Sequence, residues 1–208
     1  MDKLASPKKP MTGLGLFRIV LWAAVVVVAL AAAGLYFWRP PATATLVGLT
    51  GKPFTLNSTA GGTFTEASFK GSPTILFFGY TFCPDVCPTT LAEMSSIVKD
   101  LQLAPKDIKI VFATVDPQRD TITQLKTYLS NFGGSIIGLT GTDAEVDDAK
   151  AAFGIYSKKG PDDGTGTYLV DHTATVFLLG KNGEFEGTIA YGEDQKDEAA
   201  KIKRLVGA

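Results

Sequence analysis

The sequence predicts an α/β domain carried behind one membrane-spanning helix. Three observations predict it. Residues 19–38 form an apolar run with no charge. From Thr74 onward, apolar strand-like runs alternate with amphipathic helical stretches. Hydrophobic residues make up 45% of the 208-residue chain and charged residues 20%, which excludes a disordered or coiled-coil chain. The length suits one well-buried domain rather than two. A formal net charge of −1 lacks the concentrated positive surface that a nucleic-acid partner requires.

The run from Ile19 to Trp38 spans about 30 Å as a helix, the thickness of a bilayer's hydrocarbon core. Arg18 and Arg39 bracket it, and Trp22, Tyr36, Phe37 and Trp38 suit the interfaces. The alternative is a leader cleaved at Ala31-Ala32-Ala33, but apolar residues continue past that point. Lys3, Lys8, Lys9 and Arg18 precede the span, so residues 1–18 are expected in the cytoplasm and the remainder is exported. The exported part is net acidic. A bacterial inner membrane, with the C-terminal domain in the periplasm, is the expected location. Residues 39–46 read as a linker and 47–208 as the folded domain.

Within that domain, Thr, Gly and Phe recur in short runs up to Gly71, with turn signals at Gly51-Lys52-Pro53 and Gly61-Gly62, which predicts an N-terminal edge hairpin. Residues 74–79 predict a strand buried on both faces. Leu91, Met94, Ile97, Val98 and Leu101 mark one helical face over 89–101. A strand over 108–115, a helix over 122–132 and a short strand over 136–139 follow. A helix over 143–153 ends at Gly154. Residues 175–190 form a hairpin about Lys181-Asn182-Gly183, and a last helix starts near Asp194. This order is a thioredoxin-like layout, although pattern alone leaves other α/β folds open.

The two cysteines, Cys83 and Cys87, lie just beyond the first buried strand and just before the first helix. Free backbone N–H groups at such a junction stabilise a thiolate, the form that attacks disulfides and binds soft metals. Positions i and i+4 of a helix have Cβ atoms about 5–6 Å apart, wider than the 3.5–4.5 Å of a disulfide, so Cys83 must leave helical geometry for that bond to close. Metal chelation tolerates the spacing at least as well. A purely structural disulfide is disfavoured because so short a loop constrains little of the unfolded chain. His172 is the sole histidine, at the mouth of the penultimate strand, and in a thioredoxin-like sheet that loop faces the cysteine turn. Two thiolates and a neutral imidazole make a three-coordinate set for copper, whereas a structural zinc site wants a fourth ligand.

The stretch Phe78-Gly79-Tyr80-Thr81-Phe82-Cys83-Pro84-Asp85-Val86-Cys87-Pro88, then residues 115–121 (Val-Asp-Pro-Gln-Arg-Asp-Thr), then Val170-Asp171-His172-Thr173, resembles the Sco/SenC family over roughly residues 45–206. The resemblance implies a membrane-anchored, thioredoxin-like copper protein that assists assembly of the CuA centre in subunit II of cytochrome c oxidase. It also implies that Cys83, Cys87 and His172 are the copper ligands, and a periplasmic copper donor is a further expected partner. A metallochaperone is favoured over an enzyme. The alternative is a thiol–disulfide oxidoreductase in which Cys83 and Cys87 are catalytic, pair as a disulfide when oxidised, and reduce the cysteines of the oxidase subunit. A peroxidase is disfavoured because Tyr80 and Pro84 occupy the first two positions of its P-x-x-x-T-x-x-C pattern.

Two carboxylates are candidates for supporting the ligands. Asp85 reads as a dipole partner in the first helical turn and Asp171 as a group that orients His172. Residues 115–121 read as architectural, with Asp120 or Thr121 as a helix cap. The Gly- and charge-rich stretch 157–167 reads as a mobile loop feeding the histidine strand.

Overall fold

The computed structural model describes residues 13–37, 49–133, 135–165 and 167–207. The chain divides into two compact units, residues 1–43 and 44–208. In the first, helix α1 (Gly13–Phe37) covers most of the predicted span. Its side chains are described from Phe17 to Ala31 and are exposed all round, Trp22 and the four valines Val25 to Val28 included. Among the described residues no helix is long and apolar enough to cross a membrane. The end of the predicted span, the linker 39–46 and most of the predicted cytoplasmic segment lie outside the described residues.

The second unit is a mixed α/β fold of the thioredoxin-like kind, built on a seven-stranded sheet. Its strands are β1 (Thr55–Ser58), β2 (Thr63–Thr65), β3 (Thr74–Gly79), β4 (Lys109–Thr114), β5 (Ile136–Thr140), β8 (Val176–Leu179) and β9 (Phe185–Ile189), in the order β2-β1-β5-β4-β3-β8-β9. Strands β3, β4 and β5 run parallel, whereas β8 pairs antiparallel with β3, and β1 with β5. The hairpin β1–β2 forms one edge, as its turn signals predict.

All six residues of β3 are buried, which explains why its sequence does not alternate. On one face of the sheet, Phe78 packs with Phe153 and Phe177, and Phe153 in turn with Phe54 and Phe69. On the other, Phe77 meets Phe112, and Phe112 meets Tyr128.

Helices α2 (Val86–Asp100), α3 (Ile122–Leu129), α4 (Asp143–Phe153) and α5 (Gln195–Val206) complete the layers. Each start has a local cause. Thr121 caps α3 by accepting from the Gln124 N–H, and Asp194 caps α5 by accepting from that of Lys196. Thr142 and Glu145 form a reciprocal capping box on α4, and Gly154 closes that helix in the left-handed conformation at φ 66°. Helix α2 begins three residues earlier than the apolar spacing predicts. Pro88 falls in its first turn, where a missing N–H costs no intrahelical bond.

The stretch 157–167 departs from its loop reading at its start. Residues Ser157–Lys159 form strand β6, paired antiparallel with β7 (Val170–His172), so that Ser157 faces His172 and Lys158 faces Asp171. This two-stranded ribbon is separate from the main sheet. Cross-strand pairing at a long sequence separation decides the conformation here, and local composition does not reveal it.

Candidate metal centre

Strand β3 ends at Gly79, and the turn 80–85 carries the chain into α2. Cys83 sits in that turn, its N–H donating to the Tyr80 carbonyl at 3.2 Å. Cys87 lies in the first turn of α2, fully buried against the end of β3. Gly79 is what permits this approach: a Cβ there would lie 2.8 Å from Cys87 Sγ and 2.8 Å from the Phe112 ring. Both thiols are free, Cys83 half-buried and Cys87 buried. The Cys87 N–H donates to Cys83 Sγ at 3.4 Å, so the opening of the helix supplies a dipole to the outer sulfur.

The ribbon delivers the third group. His172 Nε2 lies 3.5 Å from Cys87 Sγ, and one ligand atom from each of Cys83, Cys87 and His172 falls within 4.8 Å of the other two. The imidazole is wedged edge-on against the rings of Tyr80 (5.8 Å between centroids) and Phe77 (6.2 Å). Its Nδ1 is 3.0 Å from the Thr173 carbonyl oxygen. A carbonyl can only accept, so Nδ1 carries the proton and Nε2 presents its lone pair toward the sulfurs. The Tyr80 hydroxyl accepts from the Val170 N–H at 3.2 Å, which ties the ribbon to the cysteine turn.

The two thiols are electrostatically unequal. Hydrogen bonding from the Cys87 thiol holds the Cys83 thiol well below the usual range, against the opposing effect of burial; the N–H groups of Cys87 and Asp85 add to this. Cys87 moves the opposite way, because its proton is held by the Cys83 sulfur and burial disfavours its charge. These opposite shifts favour an outer thiolate beside an inner thiol, the two coupled sites sharing one proton. Two soft sulfurs and a lone pair on imidazole nitrogen, converging on one point, fit a soft or borderline metal ion.

The two supporting carboxylates stand elsewhere. Asp85 occupies the N-cap position of α2 without a side-chain cap bond, exposed, its Oδ1 accepting from the Thr89 hydroxyl at 3.4 Å. Asp171 is exposed on β7 beside its cross-strand partner Lys158, and the period-2 alternation of a strand turns it away from the face that carries His172. The partner of the imidazole is the Thr173 carbonyl.

Residues 115–121 contain more than a cap. Thr121 is the cap, but Asp120 is fully buried and accepts from the Thr114 hydroxyl at 2.6 Å and from both the N–H and the hydroxyl of Thr81. It thereby anchors the turn that holds Cys83. Asp116 accepts from Arg119 Nε and from the Tyr168 hydroxyl. The signal for these roles was a run of three charged residues within five positions beside an apolar strand, too many for a turn of purely local purpose.

A thioredoxin-like fold with two unequal thiols and one oriented imidazole about a common point defines a dithiol protein built to bind a soft metal. A sequence model of the SCO1/SenC family matches residues 42–207, and the chain belongs to that family. It is 35% identical over 156 residues to the mitochondrial SCO1 homolog of Homo sapiens, covering 74% of this chain and 52% of that protein. The chain thus spans about half the length of that curated relative. Among solved structures, copper-bound ScoI of Bradyrhizobium japonicum is similar at 38% identity and a TM-score of 0.68, covering 75% of this chain and 99% of that one. Copper-bound yeast Sco1 matches at 35% identity and a TM-score of 0.69, covering 76% and 89%.

Proposed function

We propose that the domain binds one copper ion through Cys83 Sγ, Cys87 Sγ and His172 Nε2. It would deliver that ion to the CuA centre of cytochrome c oxidase subunit II, and so assist assembly of the oxidase. The observation that carries this reading is the convergence of three donor atoms within 4.8 Å, with Nε2 freed by the bond from Nδ1 to Thr173. The copper-bound relatives support the choice of metal, as does the donor set: thiolate favours Cu(I), and imidazole accommodates Cu(II) as well. Three protein ligands leave the ion open on one side, so an acceptor thiol can enter before a donor leaves. A periplasmic donor would load the site in the same way.

The chain is held at a bacterial inner membrane by its N-terminal helix, with the metal domain in the periplasm. Exposed apolar side chains on every side of α1 support this placement, because such a helix is stable only against another apolar phase.

A second reading rests on the unequal thiols. Cys83 thiolate would attack a disulfide of the oxidase subunit, releasing one partner thiolate and forming a mixed disulfide; Cys87, giving up its proton to that thiolate, would then attack Cys83 Sγ and displace the second partner thiolate, leaving a Cys83–Cys87 disulfide and a reduced partner. The half-exposed thiolate and buried thiol favour this order of attack.

Copper transfer from the loaded, full-length protein to a metal-free CuA domain whose cysteines are already reduced tests the first reading. Copper appearing in the acceptor supports delivery. If that acceptor stays empty, while an oxidised CuA domain takes up free copper once this protein has reduced its disulfide, the function is thiol reduction.

A further inference from the structure

The ribbon that delivers His172 is not hydrogen-bonded into the main sheet, so contacts between side chains contribute to its distance from the cysteine turn. The Tyr80 hydroxyl, bonded to the Val170 N–H, is one tie across that gap, and Arg119 spans it as well. The Arg119 guanidinium carbon lies 3.6 Å from the centroid of Tyr168, four residues before His172, and 4.6 Å from that of Phe82, the residue before Cys83. Tyr80 is on the same cation at 5.7 Å. Lys159 Nζ also lies 3.7 Å from the Tyr168 centroid.

The cation itself is fixed from below. Arg119 Nε donates to one carboxylate oxygen of the buried Asp116, and the Tyr168 hydroxyl donates to the other at 2.8 Å. Arg119 Nη2 is buried with no hydrogen-bond partner. Leaving a charged donor unmatched is unfavourable, so contact with the rings, beside the ion pair to Asp116, helps to hold the group there.

We propose that Arg119 is a positioning residue for the metal centre: clamped by Asp116 and stacked between Phe82 and Tyr168, it sets the separation of the cysteine turn and the histidine ribbon. The proposal rests on the metal-binding reading above. It requires a planar cation. Lysine keeps the charge beside Asp116 but cannot stack as a plane.

The test uses the full-length, reduced protein in detergent, with copper alone as the probe. Arg119→Ala is expected to weaken copper binding, measured against a competing chelator, by about tenfold, the low end for residues that orient a ligand. It is also expected to move the thiolate-to-copper charge-transfer band of the Cu(II) form in the direction that His172→Ala moves it. Arg119→Lys gives the same result, and is the variant of record if the alanine protein does not fold. Added to His172→Ala, either change weakens binding no further, because the group it positions is gone. In the metal-free protein, amides of residues 168–172 exchange faster in the variants while those of β3 and β4 do not. Wild-type affinity and spectrum in both variants, full rescue by lysine, or an equal loss in the His172→Ala background overturns the proposal. Unchanged binding in His172→Ala itself overturns the metal-binding reading instead.

Discussion

His172 Nδ1 lies 3.0 Å from the carbonyl oxygen of Thr173, and that one contact decides which ring nitrogen faces the thiols. The next residue of the chain thus does what a carboxylate does in many metal sites: it fixes the tautomer and the rotation of the ring. In the metal-free, reduced protein, nitrogen NMR of the neutral imidazole is expected to find the proton on Nδ1. A proton on Nε2 would mean that the ring is turned or bound otherwise.

Unequal thiols predict unequal reactivity. Because Cys83 is held below the usual thiol range, its thiolate persists as pH falls well under the value for a free cysteine, whereas Cys87 stays protonated and buried. Iodoacetamide should therefore alkylate Cys83 first, at a rate nearly constant between pH 6 and pH 8, as mapped by mass spectrometry of the native protein. A rate rising about tenfold per pH unit across that window would contradict the thiolate assignment.

Gly79→Ala tests the close approach of β3 and α2. Its new methyl group would lie 2.8 Å from Cys87 Sγ and from Phe112, a distance that real contacts do not reach. Neither backbone nor ring can yield freely in a packed core, so the expected loss is about 1–3 kcal/mol in denaturant unfolding, with faster alkylation of Cys87. Wild-type stability would show that α2 is free to move away.

Remote from the metal centre, Glu198 on α5 is buried with Oε2 unpartnered. Burial, reinforced by Glu93 and Glu193, raises its carboxyl to about 7. The folded state therefore holds a proton that the unfolded state releases near pH 4.5. Stability is unpenalised below that value and falls as pH rises toward 7, by up to about 3 kcal/mol. Glu198→Gln should remove the decline, so thermal midpoints of the two proteins diverge between pH 4.5 and 7. Parallel curves across that range would contradict the assignment.

What could be read from the sequence followed the range of the interactions involved. Strand β3 announces itself as a continuous apolar run, and α4 by its apolar spacing and Gly154, because those signals are local. Cys83, Cys87 and His172 were legible as a set because the chain holds no other Cys or His and because the order of elements opposes their loops. The ribbon β6–β7 was not, since Ser157, Lys158 and Lys159 lack the apolar alternation of a half-buried strand and gain their order from partners 11 to 15 positions away. Asp120 and Thr121 read as alternative helix caps from their neighbours alone; Thr121 is the cap, whereas Asp120 bonds Thr81, 39 residues back. Asp171 sits next to the histidine in sequence, and the strand turns it to the opposite side.

X-ray absorption at the copper edge of the loaded, full-length protein reads the central claim most directly. Two sulfur neighbours and one imidazole nitrogen are expected, with the nitrogen lost in His172→Ala and one sulfur lost in each single cysteine variant. A wild-type spectrum of sulfur alone, unchanged in His172→Ala, would contradict the account and leave a bare dithiol.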